Sequence, residues 1–574
     1  MPVAAPAIKT SKNNSAMLLA HNVERSDKNL LPFVRLSQKL SRRYCGPHHP
    51  RWDSDTDGPM DAQPINTTFS FVEIMMPYLS SSTLSTHVTP KTPSEEGTWF
   101  AFKLQAQLDH VCQEIKLAMT MERIARAAMF GMGIARVGHN PPAVGEWDEP
   151  FGHRRDAGQP LVEWIRMMDY ILDPDCLDHE CVDFEGHRYR LPVEYAYDSG
   201  RFPHELLDAM TPIHNQPQDQ MQAMGNNREP DNDGPLVPKF EFRDLWIPHG
   251  NRIVTLPGRV DHTTDYLSDR PYEGAENGPY YKLSYADDPD GPFSVTTLSV
   301  VMDLDTTINT LTRKVQRQAD RAKRLGIYNK ADETTADTIR TAKDGSMVGV
   351  PGGKDAVGTY DIPGPDSKSY EPIGYFDTQR NAVAGNPSLL GGEKAQSGTL
   401  GQDQMLEKGA SVRIEGYRKK TKKFASEVLM ALAWEVWTDK ESENALTLDF
   451  GAGGKIPDRW TPEAREGDFL DYVYDIQPYS ANPAGPEEEY AATMEIVQTV
   501  VIPLAPQMAA TGQYVDTAEL VATLAEKRHL TDTHRWFKNA DKMAVPATNS
   551  PDQQQPQGGG RMVAGTKPAQ GPQT

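Results

Sequence analysis

The sequence predicts an α+β fold divided into several structural regions. Three observations carry this. Between residues 138 and 293, short strand-like pieces alternate with turn clusters such as NPP, DPD and DPDG. On both sides of that region, apolar residues recur at helical spacing instead. From Gly391 to Trp437, a glycine-rich polar loop leads directly into one long helical segment that is polar at first, then densely basic, then apolar.

Composition narrows the classes. A chain of 574 residues has room for a sizeable core, yet only 38% are hydrophobic, and it carries 45 prolines and 44 glycines. That balance points to an elongated, loop-rich subunit with much surface or subunit interface. The formal net charge of -21 excludes a chain that grips nucleic acid over its whole surface, because such binders displace phosphate counterions with a basic face. Local basic rings stay compatible with it. Four cysteines are too few for a disulfide scaffold and fit reduced thiols in a cytoplasm. The first residues, MPVAAPAIKTSKNNSA, lack the apolar stretch of a signal peptide. No run is apolar for long enough to predict a membrane span.

The elements follow in order. Residues 1–15 are polar and read as disordered, within an N-terminal arm extending to residue 29. About Ser15–Tyr44 predicts two short helices broken at Pro32, with Phe33, Leu36 and Leu40 at helical spacing and Arg42 and Arg43 near the C-terminal end. Thr67–Leu79 reads as a short apolar helix and His87–Pro93 as an extended connection. Trp99–Met129 predicts one amphipathic helix, its stripe made by Phe102, Leu108, Cys112, Ile115, Leu117, Met119 and Ile124, ended by Gly131 and Gly133. Ile134–Val137 reads as a strand. Further strands are expected over Leu161–Met167, Phe184–Leu191, Phe240–Ile247, Arg252–Leu256 and Tyr280–Tyr285. A Gln-, Asn- and Asp-rich insertion at 216–234 interrupts them and is expected to be mobile.

A second organised stretch begins with a helix over Leu298–Leu325. Leu304, Ile308, Leu311 and Val315 form a packing seam, and Arg313, Lys314, Arg317, Arg321, Lys323 and Arg324 make its last turns basic. Thr335–Thr341 reads as helical, Met347–Val350 as extended and Tyr370–Val383 as helical again. The glycine-rich loop and a helix to Asp439 come next, then short strands over Leu446–Pro478, including Tyr472–Ile476. Pro486–Met508 and Thr517–Lys538 predict a helical pair, and the Pro-, Gln- and Gly-rich tail after Pro546 reads as disordered.

Catalytic motifs fail on spacing. GVPGGKD at 349–355 is one residue short of a phosphate loop, with Asp355 where a magnesium-binding hydroxyl belongs. GMGIARVG at 131–138 places its third glycine late and follows a helix, not a strand. Cys176, His179, Cys181 and His187, beside Asp173 and Asp175, offer zinc-type ligands. Their spacing matches no common finger and reads equally as a turn and a surface strand. No cofactor is expected. Arg418, Lys419, Lys420, Lys422 and Lys423 cover most of a helix's circumference, so they cannot all face one partner. Two readings stay open for them and for the earlier basic turns: solvated or intersubunit ion pairs, or contact with passing DNA.

The order of these parts resembles that of a tailed-bacteriophage portal protein. RRYCG at 42–46 resembles the family's early Tyr-x-Gly pattern, and NTTFSFVEIMMPYL at 66–79 its Asn-led helix ending in Pro-x-Leu. GMGIARV at 131–137 is similar to the helix-to-strand turn that begins the wing, and MMDYILDPDC at 167–176 to the wing turn running into Asp-Pro. GPFSVTTLSVVMDLDTTINTLTRKVQRQADR at 291–321 resembles the start of the first stem helix, and 388–437 the tunnel loop with the long kinked helix behind it.

The resemblance implies a wing over 30–295 and 440–485, stem helices at 296–325 and 369–385, and a small α/β clip at 326–368. It implies a tunnel loop at 386–401, a long helix at 402–439 and a helical crown at 486–545. Gly391, Gly392, Lys394, Gln396, Ser397 and Thr399 would then face DNA. The implied role is a ring, twelve subunits in the virion, at one capsid vertex. It would nucleate capsid assembly and pass double-stranded DNA during packaging and ejection. It would contact the major capsid protein, scaffolding protein, terminase large subunit and then a tail adaptor, with assembly in the host cytoplasm and no membrane partner. The alternatives from the residues alone are another ring-forming virion connector or a zinc-binding hydrolase.

Overall fold

The computed structural model describes residues 12–79, 84–91, 94–140, 158–179, 181–213, 237–258, 265–328, 333–344, 346–349, 357–385, 400–439, 443–449, 455–461, 465 and 467–478. The chain divides into two compact units, 1–483 and 484–574, and all described residues belong to the first. The expected insertion at 216–234, the helical pair after Pro486 and the tail lie outside them.

Helix α1 runs unbroken from Lys12 to Cys45 with Pro32 inside it, correcting the two short helices and the arm expected to residue 29. Proline removes one helical hydrogen bond and disfavours the preceding turn. Here Leu31 and Pro32 face solvent, so the freed carbonyl can be hydrated. Packing spans the break: Val23, Leu30 and Leu40 are each buried in a different apolar cluster. The opposite error occurs further on. The single helix expected over Trp99–Met129 is two, α4 (Glu95–Glu114) and α5 (Leu117–Phe130), separated by Lys116 at φ 53. Lysine carries no signature for this left-handed geometry, and Leu108, Cys112, Leu117 and Ile124 are buried on both sides, so the periodicity reads straight through. Phe102 and Met119 lie off the buried face, 45% and 50% exposed.

The strands, in chain order, are β1 (Leu84–Pro90), β2 (Gly133–His139), β3 (Pro160–Ile165), β4 (Tyr170–Leu172), β5 (Glu185–Pro192), β6 (Lys239–Ile247), β7 (Arg252–Pro257), β8 (Ser268–Pro271), β9 (Tyr280–Leu283), β10 (Lys323–Tyr328), β11 (Val357–Ile362), β12 (Asn444–Asp449), β13 (Lys455–Trp460) and β14 (Tyr472–Pro478). All pairings are antiparallel. β3-β2-β9 form a three-stranded sheet and β4-β5-β6-β7-β8 a five-stranded one. β1 pairs with β14, β10 with β11 and β12 with β13. The fold is therefore mixed, with helices beside open antiparallel sheets. β4 and β8 are too short to show an alternating pattern, and the sequence reading missed them. Met347–Val350, expected to be extended, forms no strand over its described residues 347–349; β10 pairs with Val357–Ile362, a segment rich in β-branched and aromatic residues that the periodicity did not mark.

The main core forms around the long helix Leu400–Thr438. Phe424, Ala425, Val428, Leu429, Leu432, Ala433 and Val436 are all buried. The helix touches α3 (Thr67–Leu79), α4, β2, β3, β9 and β14. At its end, Trp434 and Trp437 meet Phe469 edge-on at 5.1 and 6.0 Å. Each such buried apolar side chain contributes roughly 1.5–3 kcal/mol.

Substitution of Lys116→Gly tests the left-handed break, since Lys116 is exposed and only its backbone conformation is at stake. The expected outcome is a gain of about 0.5–1 kcal/mol in chemical denaturation, relief of left-handed strain outweighing glycine's added unfolded-state entropy.

Candidate functional site

Two helices, Thr297–Arg321 and Ser367–Ala384, pack against each other and carry the β10–β11 ladder and a short helix, Glu333–Thr341, between them. Thr296 caps the first helix by accepting from Ser299 N, and Asp366 caps the second by accepting from Ser369 N. The seam expected from sequence is present in part: Ile308 and Val315 are buried, Leu304 and Leu311 half-buried. The root of this arm joins the core. Leu298 and Val301 belong to the main cluster, and Thr297 Oγ1 lies 2.7 Å from Tyr417 Oη on the long helix.

The second arm helix ends at Gly385, whose φ of 89 requires a residue without a Cβ. Arg413 closes the end by donating to Val383 O at 2.7 Å, and a Cβ on Gly385 would stand 2.9 Å from its Cδ. The long helix begins at Leu400, about 20 Å before Arg413 along its axis at 1.5 Å per residue. Gly391, Gly392, Lys394, Gln396, Ser397 and Thr399 lie outside the described residues.

The basic candidates divide. Arg313 and Arg317 share Asp61, at 2.9 and 3.5 Å, and Arg324 pairs with Asp361 at 3.0 Å. Lys314, Arg321 and Lys323 are exposed, and Lys323 and Arg324 stand on β10, because the helix stops at Arg321. On the long helix, Arg418 donates to Tyr78 O at 3.0 Å and lies over the Tyr78 ring. Lys420 pairs with Asp287 at 2.8 Å and Lys423 with Glu427 at 3.7 Å, while Lys419 and Lys422 are exposed. For Arg418 and Lys420 the partner is therefore within the chain, a third outcome beside DNA or a neighbouring subunit. The acids concerned, Asp61 and Asp287, are far away in sequence, and no local signal marks them.

Three of the four metal candidates take separate partners. Cys176 Sγ faces Asp178 O at 3.0 Å, His179 Nε2 faces Pro292 O at 2.6 Å, and His187 Nδ1 faces Tyr280 Oη at 2.8 Å. Cys181 is exposed. Asp173 accepts from the backbone of Asp175 and Asp183, closing the turn, and Asp175 pairs with Arg25 at 2.9 Å. Burial pushes the Cys176 thiol up to about 11. Burial also lowers His179 to about 4 and His187 well below its usual range. Among the described residues, no group of three or more His, Cys, Asp or Glu is placed to hold a metal ion.

A cavity of about 1070 Å³ opens where the two larger sheets approach the end of the long helix. Arg136, His139, Glu163, His187, Tyr189, Asp244 and Glu435 line it, and of these the sequence singled out His187 alone. Several of these pair with one another: Arg136 with Glu163 at 3.5 Å, His139 with Glu435 at 2.8 Å, and Tyr189 Oη donates to Asp244 at 3.0 Å. No family model matches the chain, and no curated protein matches its sequence.

The depressed His179 has a pH consequence. Its contribution is fully present above the unfolded value near 6.5 and is lost as pH falls toward 4, because the unfolded chain takes the proton first. Denaturation of wild type and His179→Asn from pH 7 to 4 is expected to show about 2–3 kcal/mol more loss in wild type.

Proposed function

We propose that this chain is a portal-type subunit of a tailed bacteriophage: one member of a ring at a capsid vertex whose channel passes double-stranded DNA. The single observation that carries the reading is the arm and its tie to the long helix. Two packed helices bear a small β unit between them, and the end of the second is held by Arg413 of the long helix, which then enters the core. This is the order the resemblance expects of stem, clip, stem, tunnel loop and long helix.

Exposure along the arm supports the same reading. Every residue from Gln316 to Leu325 is exposed, and Ile327, Tyr360 and Tyr375 are 51%, 56% and 61% exposed. A solitary chain leaves these groups in water. In a closed ring each arm lies between two neighbours, which gives its apolar residues a surface to cover. Lys314, Arg321 and Lys323 would then contribute repeated bands of positive charge to an otherwise acidic channel, guiding DNA without a tight grip. In this reading β10–β11 forms the clip that meets terminase and then the tail adaptor, and residues 486–545 form the crown.

Electron microscopy of the purified protein is expected to show closed rings with a central channel. A stable monomer or dimer across salt and concentration sinks the proposal. Deleting Gly391–Gly398 is expected to spare ring assembly and to impair DNA packaging or retention; loss of folding instead removes the loop from the channel.

A further inference from the structure

Beside its apolar seam, the first arm helix carries a second, polar stripe. Asp305, Asn309, Arg313 and Arg317 follow at steps of four, so they stand one above another on the same face. Each contacts one short segment, residues 61–67, which leads into α3. Asp305 Oδ1 accepts from Thr67 Oγ1 at 2.7 Å. Asn309 Oδ1 accepts from Ile65 N at 2.9 Å. Arg313 and Arg317 both reach Asp61. Arg43, at the end of α1, braces the same side by donating to Met302 O and Thr306 Oγ1 at 3.3 and 2.9 Å.

We propose that segment 61–67 is a polar latch, which fixes the arm to the shell of helices and lets it go as a unit. The division of contacts along the arm supports this. Its root is apolar and fixed, through Leu298 and Val301 in the main core. Beyond the root, the contacts with 61–67 are hydrogen bonds and ion pairs. Such contacts exchange for contacts with water on release, so each contributes far less net than its gross strength. The outer rung is weaker still, since Asp61 is 56% exposed and its pairs are screened by salt.

The latch is also imperfectly satisfied. Gln63 Oε1 and Arg313 Nε are buried with no protein hydrogen-bond partner. Release would return each to water, which offsets part of the cost of opening. An element held by an apolar hinge and such rungs can swing when a bound partner favours the free position. The inference concerns contacts within one chain and stands apart from the ring reading.

Hydrogen–deuterium exchange on the full-length protein tests it, comparing peptides that cover 61–67, 302–317 and the core stretch 424–437. Asp61→Arg is expected to speed exchange in the first two by about fivefold and to leave the third unchanged. Combining Asp61→Arg with Arg313→Asp and Arg317→Asp is expected to restore protection. Asn309→Ala, which removes an inner rung, is expected to act like Asp61→Arg without any change of charge. Unchanged exchange over 302–317 in both single variants overturns the latch. So does an equal rise over 424–437, which makes segment 61–67 part of one cooperative core.

Discussion

The burial of the long helix's second half is the constraint on which the described unit depends. From Phe424 to Val436 the helix is apolar on several faces, and a helix of that kind must be enclosed. Enclosure brings α3 and α4 to it, brings β2, β3 and β9 across it, and draws β14 back from the end of the unit. The one deeply buried acid in this stretch, Glu435, meets His139 on β2 and so fixes the helix against the three-stranded sheet. From Val412 to Lys423 the same helix is more exposed, with Ile414 and Tyr417 its buried residues. It carries the cations and receives the end of the arm through Arg413. One helix is thus both a core element and the mount for the proposed moving parts.

The placement of charge follows from that division. A chain of net charge -21 still keeps eleven candidate cations on the arm and the long helix. The half-buried Arg313, Arg418 and Lys420 have partners within the chain. Lys314, Lys419, Arg321 and Lys323 are exposed. Removing a cation from water costs more the deeper it lies, so the half-buried ones are paired; the exposed Arg317, Arg324 and Lys423 also have acids beside them. The proposed electrostatic guidance of DNA therefore rests on the exposed group rather than on the whole patch.

Much of the framework was legible because it depends on local periodicity. Thr67–Leu79, the two arm helices, the long helix and the strands around Phe240 and Arg252 all follow from residues within one window. What was not legible depends on partners distant in sequence or on backbone geometry without a residue signature. Pro32 reads as a break, yet clusters on both sides of it keep α1 whole. Lys116 reads as helix, yet its left-handed φ divides α4 from α5. The basic residues were legible as a group, but their acids, Asp61 and Asp287, become neighbours only in the folded chain. The loop residues from Gly391 to Thr399 stand on sequence alone.

The pairing of β1 with β14 has a consequence for how the chain is made. The two strands are about 400 residues apart, so at ordinary ribosomal speeds β1 emerges roughly 20–80 seconds before its partner exists. An unpaired edge over that interval invites association with other nascent chains. α4 shields one side of it. Asp109 accepts from both the backbone and the hydroxyl of Thr86, and Gln105 accepts from Val88 N. Those bonds are local in sequence and are available as soon as α4 has left the ribosome. The contacts that cover this edge of β1 therefore need nothing made later than α4, whereas the ladder itself waits for the far end of the unit.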